Sequence, residues 1–286
     1  MPASLPPLVS TEWLAARLAD PAVRVLDASW YLPAQGRDAR GEYLAAHIPR
    51  AAFFDLDAAS DPDSPLPHML PSDAHFAAIA GGLGIGDDTT VVVYDGSGVN
   101  LSAPRAWWMF RAYGHDAVTL LDGGLMKWKA EGRPLEADDA IVLPRRFSAQ
   151  LDQRRVRTME QMRLLDPSAQ VVDARAAERF EGHAPEPRAG VRSGHIPGSR
   201  NVPFTSLVQP DATVLDRASL ARHLREAGVD AARPVVATCG SGVTACAVLH
   251  ALSVLGQDDT ALYDGAWTEW GASELPVQLG PAGAAG

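Results

Sequence analysis

Cysteine is the scarcest informative residue in this sequence: two, Cys239 and Cys246, in 286 residues. Neither a disulfide framework nor a cysteine-rich zinc site can be built from two thiols, which fits a reducing compartment. Positive charge is also short, with 25 Lys+Arg against 35 Asp+Glu and a net charge of −10. A general nucleic-acid binder needs a basic face, so no nucleic-acid partner is expected. No window reaches the ~18 uninterrupted apolar residues of a membrane span, so no membrane partner is expected either. The N-terminus, Met1-Pro2-Ala3-Ser4-Leu5-Pro6-Pro7, lacks a basic n-region and a long apolar h-region. That argues against a signal peptide and for a cytoplasmic protein. The remainder is ordinary for a globular chain, 47% hydrophobic and 21% charged, enough for one large or two medium cores.

What the sequence does have is a repeat. Val25-Leu26-Asp27 is answered by Val171-Val172-Asp173, and His47-Ile48-Pro49 by His195-Ile196-Pro197. Val91 to Asp95 is answered by Val235 to Cys239, and Asp122-Gly123-Gly124 by Asp264-Gly265-Ala266. A tryptophan follows that aspartate by six residues in both copies, Trp128 and Trp270. The spacings agree too: Asp27 to His47 is 20 residues and Asp173 to His195 is 22, while His47 to Asp95 is 48 and His195 to Cys239 is 44. Short β-branched runs alternate with helical patterns, for example Ser10-Thr11-Glu12 opening a helix to about Asp20, Asp73 to Ala80, Pro104 to Tyr113 and Ser219 to Ala227. Thr158-Met159-Glu160-Gln161 has the form of a capping box. The pattern predicts an α/β protein made of two copies of one domain, each a mainly parallel sheet covered by helices. The expected organisation is residues 8–131, a polar linker over 132–157, a second domain over 158–276 and a loose Gly/Ala-rich tail over 277–286.

The chain is organised around Val235-Val236-Ala237-Thr238-Cys239-Gly240-Ser241-Gly242-Val243-Thr244. A buried strand stops at a cysteine, a small-residue loop follows, and a helix opens at Thr244-Ala245. In α/β sheets, sites form outside the C-terminal ends of strands, where Cys239 sits. Loop N–H groups and a helix N-terminus favour negative charge there, so Cys239 is expected to be a reactive thiolate. The aligned loop of the first copy, Asp95-Gly96-Ser97-Gly98, keeps the shape but not the nucleophile. A phosphatase-like thiolate cradle would need an arginine six residues after the cysteine to hold phosphate, and Ala245 stands there.

With these residues in view, the chain resembles the 3-mercaptopyruvate sulfurtransferases of the tandem-rhodanese superfamily from about Leu8 to Trp270. The motifs that carry the resemblance are Cys239-Gly240-Ser241-Gly242-Val243-Thr244, His195-Ile196-Pro197-Gly198, Phe53-Phe54-Asp55-Leu56-Asp57 and His68-Met69-Leu70-Pro71. Ser102 to Phe110, Arg179-Phe180 and Pro185-Glu186-Pro187-Arg188 add to them. The resemblance implies two rhodanese-like domains, the first lacking the catalytic cysteine, and sulfur transfer through a Cys239 persulfide with release of pyruvate. It implies Arg179 and Arg188 as substrate-binding residues, with Gly240, Gly242, Val243 and Thr244 lining the donor. It further implies a Ser241, His68 and Asp57 set around the donor thiol, with Asp55 the rival to Asp57. His68 and Asp57 lie in the first copy, so both copies are expected to supply catalytic residues. Thiosulfate enzymes of the superfamily carry basic residues directly after the cysteine; Gly240 and Ser241 here favour mercaptopyruvate.

No cofactor and no metal are implied. The expected partners are 3-mercaptopyruvate and a sulfur acceptor such as thioredoxin, a small thiol or cyanide. Thiosulfate sulfurtransferase activity, or a non-enzymatic module that merely carries persulfide, remain the competing readings. Cys246 reads as a buried core thiol, His47 and His195 as structural turn histidines. The tryptophans read as core, and Arg192 and Arg200 as local positive potential or solvated charge.

Overall fold

The computed structural model describes residues 5–283. The sequence readings on residues 1–4 of the N-terminus and 284–286 of the tail lie outside the described residues. Contacts divide the chain into two compact units. Among the described residues, the first holds five strands, β1 (Leu8–Val9), β2 (Val23–Asp27), β3 (Ala52–Phe53), β4 (Thr90–Tyr94) and β5 (Val118–Leu121). Its helices are α1 (Thr11–Ala15), α2 (Ala39–Ala45), α3 (Asp73–Gly82), α4 (Ala103–Ala112) and α5 (Gly124–Ala130). The second holds β6 (Val156–Arg157), β7 (Gln170–Asp173), β8 (Arg200–Asn201), β9 (Val235–Thr238) and β10 (Thr260–Tyr263). Its helices are α6 (Met159–Arg163), α7 (Ala177–Phe180), α8 (Arg217–Glu226), α9 (Ala245–Val254) and α10 (Ala266–Trp270).

The strand orders are β1-β5-β4-β2-β3 and β6-β10-β9-β7-β8, the same permutation twice. Every pairing between these strands is parallel. The repeat read from the sequence is therefore one topology used twice. The central β9 is buried along its whole length, as a helix-covered parallel strand must be. The repeat reaches the fine contacts as well. Trp128 Nε1 donates to Pro134 O at 2.8 Å, and Trp270 Nε1 to Pro276 O at 2.9 Å. His47 Nδ1 lies 2.8 Å from Tyr43 O and His195 Nδ1 lies 2.9 Å from Phe180 O. Because a carbonyl can only accept, both imidazoles carry the proton on Nδ1. Their rings stack on Tyr43 and Phe180 with centroids 4.1 and 3.7 Å apart, and burial pushes the His195 pKa down. Both histidines serve the structure of their turns.

Element ends depart from the sequence reading for local reasons. The first helix stops at Ala15, and residues 16–20 continue as single turns that close on Asp20, whose Oδ1 accepts from Ala22 N at 2.9 Å before the chain enters β2. Helix α3 runs through Gly81 and Gly82, because Gly81 is a contact position. A Cβ there would lie 2.5 Å from the Arg145 carbonyl. Helix α8 begins at Arg217, two residues early, since Asp216 caps it by accepting from Ala218 N and Ser219 N at 2.9 and 3.0 Å.

Segments without regular structure are tied down. Residues 132–152 group with the first unit, where His47 and Glu136 exchange backbone hydrogen bonds at 2.9 Å and Phe147 packs edge-on against Phe76 and Phe110. Gln278, at the start of the expected tail, pairs with His195 in the same way at 2.9 and 3.0 Å. Residues 63–69 group with the second unit and 208–214 with the first.

Candidate active site

Strand β9 delivers Cys239 at its C-terminal end, 2% exposed. Two helices fix the loop that follows. The Cys239 carbonyl accepts from Trp267 N at 2.9 Å, and the Gly240 carbonyl accepts from Thr268 N at 3.0 Å and from Thr268 Oγ1 at 2.6 Å, all from α10. Beyond Gly242, whose φ of +79° lies in the left-handed region that favours glycine, the first turn of α9 takes over. Val243 O and Thr244 O accept from Cys246 N and Ala247 N at 3.2 and 3.1 Å. The Cys246 thiol donates to Gly242 O at 3.4 Å, which uses it as the buried core thiol that its sequence position implied. The carbonyls of Cys239, Gly240, Gly242, Val243 and Thr244 are thus engaged. Among the described residues, the N–H groups of Gly240, Ser241, Val243 and Thr244 donate to no protein acceptor.

The corresponding loop of the first unit supplies the contrast. Asp95, 3% exposed, accepts from Ser97 N at 2.8 Å on Oδ1 and from Ser102 N and Ala103 N at 3.0 and 2.9 Å on Oδ2. Its carboxylate serves as the loop's own anion, at the N-terminus of α4 where the helix field favours one. Leu125 N holds the Asp95 carbonyl at 3.2 Å as Trp267 N holds that of Cys239. Met126 stands where Thr268 does and has no hydroxyl to offer. The first loop is a filled anion cradle; the second has the donors and a thiol in place of the carboxylate.

Ser241 is 8% exposed, and its Oγ lies 3.0 Å from His68 Nδ1. His68 sits at φ +59°, a strained setting for a non-glycine residue, on the 63–69 segment that belongs to the second unit. Asp57 belongs to the first unit. Its Oδ2 accepts from Trp30 Nε1 at 3.2 Å. Asp55 Oδ1 is occupied closing its own turn, accepting from Asp57 N and Ala58 N at 3.0 Å each. Of the predicted set, the structure brings Ser241 and His68 into hydrogen-bond contact.

Arg179, on α7, stands against the loop: a Cβ at Gly240 would meet its Nη2 at 3.3 Å. Its guanidinium is held by Glu186, with Nη2 donating to Oε2 and Nε to Oε1 at 3.3 Å. Arg188 is half-buried and, among the described residues, makes no ion pair. Sequence reasoning missed the group behind Arg179. Arg175, 2% exposed, donates from Nη1 to Glu186 Oε1 at 2.7 Å and from Nη2 to Asp173 Oδ2 and Gly194 O, each at 2.7 Å. Its Nε spans both Asp173 oxygens at 3.1 and 3.0 Å, and it lies over the Trp267 ring, 4.5 Å from the centroid. Burial opposes the Arg175 charge, yet Asp173 and Glu186 hold its pKa above the ordinary value. The one available signal was Arg175 itself, two residues past the strand-ending aspartate, where the first copy has Ser29.

Among the described residues no group of three or more His, Cys, Asp or Glu side chains could hold a metal ion. Nor is any described helix long and apolar enough to cross a membrane.

Comparison with known proteins agrees with this architecture. The rhodanese-like domain model matches residues 10–131 and 158–273. The 3-mercaptopyruvate sulfurtransferase of Rattus norvegicus is 50% identical over 270 residues, covering 92% of this chain and 91% of its own. Thiosulfate/3-mercaptopyruvate sulfurtransferase 1, mitochondrial, of Arabidopsis thaliana is 44% identical over 296 residues, 95% of this chain and 78% of its own. Among solved structures, SseA of Escherichia coli, described as a 3-mercaptopyruvate sulfotransferase with the rhodanese fold, superposes with a TM-score of 0.82 at 40% identity over 92% of this chain and 99% of its own. The chain therefore belongs to the rhodanese family, and within it to the two-domain sulfurtransferases that include the 3-mercaptopyruvate enzymes.

Proposed function

We propose that this sulfurtransferase moves sulfur from 3-mercaptopyruvate to a thiol or cyanide acceptor through a persulfide on Cys239. The observation that carries the reading is the pair of loops: donors that Asp95 fills in the first unit are left without a protein acceptor around Cys239. In the first half-reaction the Cys239 thiolate attacks the donor sulfur. The carbon–sulfur bond breaks, its electron pair leaves as the enolate of pyruvate, and a proton completes pyruvate. In the second, an acceptor thiolate such as that of thioredoxin or a small thiol, or cyanide, attacks the outer sulfur. The sulfur–sulfur bond breaks and its pair returns to Cys239, giving a ping-pong cycle. The free N–H groups stabilise the negative charge as it moves onto the outer sulfur. His68, through Ser241, is the group placed to handle the donor's thiol proton, and Asp57 is assigned to support that histidine.

Mercaptopyruvate is preferred to thiosulfate because the positions after the nucleophile, Gly240 and Ser241, carry no charge. The planar forks of Arg179 and Arg188 suit a carboxylate with its neighbouring keto oxygen. Thiosulfate is the second reading, favoured by the Arabidopsis relative named for both donors. Steady-state assays with the two donors side by side separate them: a larger kcat/KM for mercaptopyruvate is expected, and parity overturns the choice. Arg188→Ala should raise the mercaptopyruvate KM about tenfold or more, the loss of one charge-assisted contact, with the melting temperature little changed. Unaltered kinetics would remove Arg188 from the site. A reducing compartment such as the cytoplasm suits two free thiols, and fractionation of expressing cells tests that placement.

A further inference from the structure

We propose that Glu186 sets the donor preference by positioning Arg179 and cancelling its charge beside the Cys239 loop. Four charges lie in sequence here. Asp173 and Glu186 flank Arg175, and Glu186 alone reaches on to Arg179. Two carboxylates against two guanidinium groups leave the cluster neutral. Glu186 is 4% exposed at its side chain and Arg179 is 28% exposed, so the carboxylate is the fixed member and the arginine the member that faces outward. Arg175, 2% exposed, keeps Glu186 in place from behind through Nη1 at 2.7 Å. The Arg179 fork therefore offers a fixed orientation with little net field, one residue from the nucleophile.

That arrangement discriminates between donors by charge. An unpaired cation would attract a dianion such as thiosulfate with twice the Coulomb energy it gives a monoanionic keto acid. A paired cation withholds that advantage and retains the directional hydrogen bonds that a carboxylate and keto oxygen use. The preference for a monoanion thus resides in Glu186 as well as in the uncharged Gly240 and Ser241.

The donor preference rests on the function proposed above, and a second readout does not. In Glu186→Gln, the ratio of thiosulfate to mercaptopyruvate kcat/KM should rise about tenfold, mainly through KM. Independently, the rate of Cys239 alkylation by anionic iodoacetate relative to neutral iodoacetamide should rise about threefold or more, with the alkylated residue identified by mass spectrometry. Glu186→Asp keeps the charge and shortens the reach. It should raise the mercaptopyruvate KM and leave the alkylation ratio at the wild-type value. Unchanged ratios in Glu186→Gln, or an alkylation ratio that moves as far in Glu186→Asp, would overturn the assignment. A wild-type enzyme inactive on mercaptopyruvate would instead sink the donor reading, while the alkylation comparison still decides the role of Glu186.

Discussion

Cys239→Ser should abolish sulfur transfer, lowering kcat more than about a thousandfold, some 4 kcal/mol of barrier. A serine hydroxyl is not ionised near neutral pH, and sulfane-sulfur chemistry needs a thiolate to attack and a sulfur to hold the product. The loop should survive the change. Its shape is set by α10 through the carbonyls of Cys239 and Gly240 and by α9 through Val243 and Thr244, none of which involves the thiol. A melting temperature close to the wild-type value is therefore expected beside the lost activity. Treatment with donor followed by mass spectrometry should place one added sulfur on Cys239 of the wild type and none on the variant. Cys246→Ser is the control. Cys246 is fully buried on α9 and its thiol is spent on Gly242 O, so this variant should still load Cys239. Sulfur retained on Cys246 in Cys239→Ser would reassign the nucleophile.

Much of this site was legible because its residues are contiguous. A β-branched strand, a cysteine, four small or uncharged residues and a helix start are neighbours in sequence, and the physics of a strand-to-helix loop follows from that order alone. The repeat was legible for the same reason, since Asp27, His47, Asp95 and Trp128 recur as landmarks at similar spacing. What the linear order could not show is closure by tertiary approach. Glu186 was visible only as the middle of Pro185-Glu186-Pro187, and nothing local says that it faces Arg175 and Arg179 at once. The role of Asp95 was hidden too: a carboxylate in an anion-favouring loop makes sense only when the N–H groups of Ser97, Ser102 and Ala103 are seen converging on it. His68 is a further case. The resemblance set it with Ser241, but its position in the first half gives no hint that segment 63–69 groups with the second unit.

Arg175 is expected to matter most for stability. Replacing it by serine, the residue at the equivalent Ser29 of the first copy, should cost about 3–5 kcal/mol, the usual result of stranding a buried carboxylate. Two carboxylates lose their partner at once, Asp173 at 0% and Glu186 at 4% side-chain exposure, although Glu186 keeps Arg179. The first unit shows how such a carboxyl responds. Asp27 has Ser29 N at 2.9 Å and, among the described residues, no arginine partner, and burial, with Asp95 adding to it, pushes its pKa upward. In Arg175→Ser the Asp173 carboxyl should follow Asp27, with a folded-state pKa above its unfolded value. The sign of the pH effect follows from that. Below the unfolded pKa both states are protonated and this part of the penalty is absent; it grows as pH rises through the raised folded value and is complete above it. The variant should therefore lie closest to wild type in acid, below the unfolded carboxyl pKa of about 4, and fall furthest below it near neutrality and above. Chemical denaturation at matched pH values reads this directly. A stability difference that is small, or that does not change with pH, would show that Asp173 finds another partner once the guanidinium is gone.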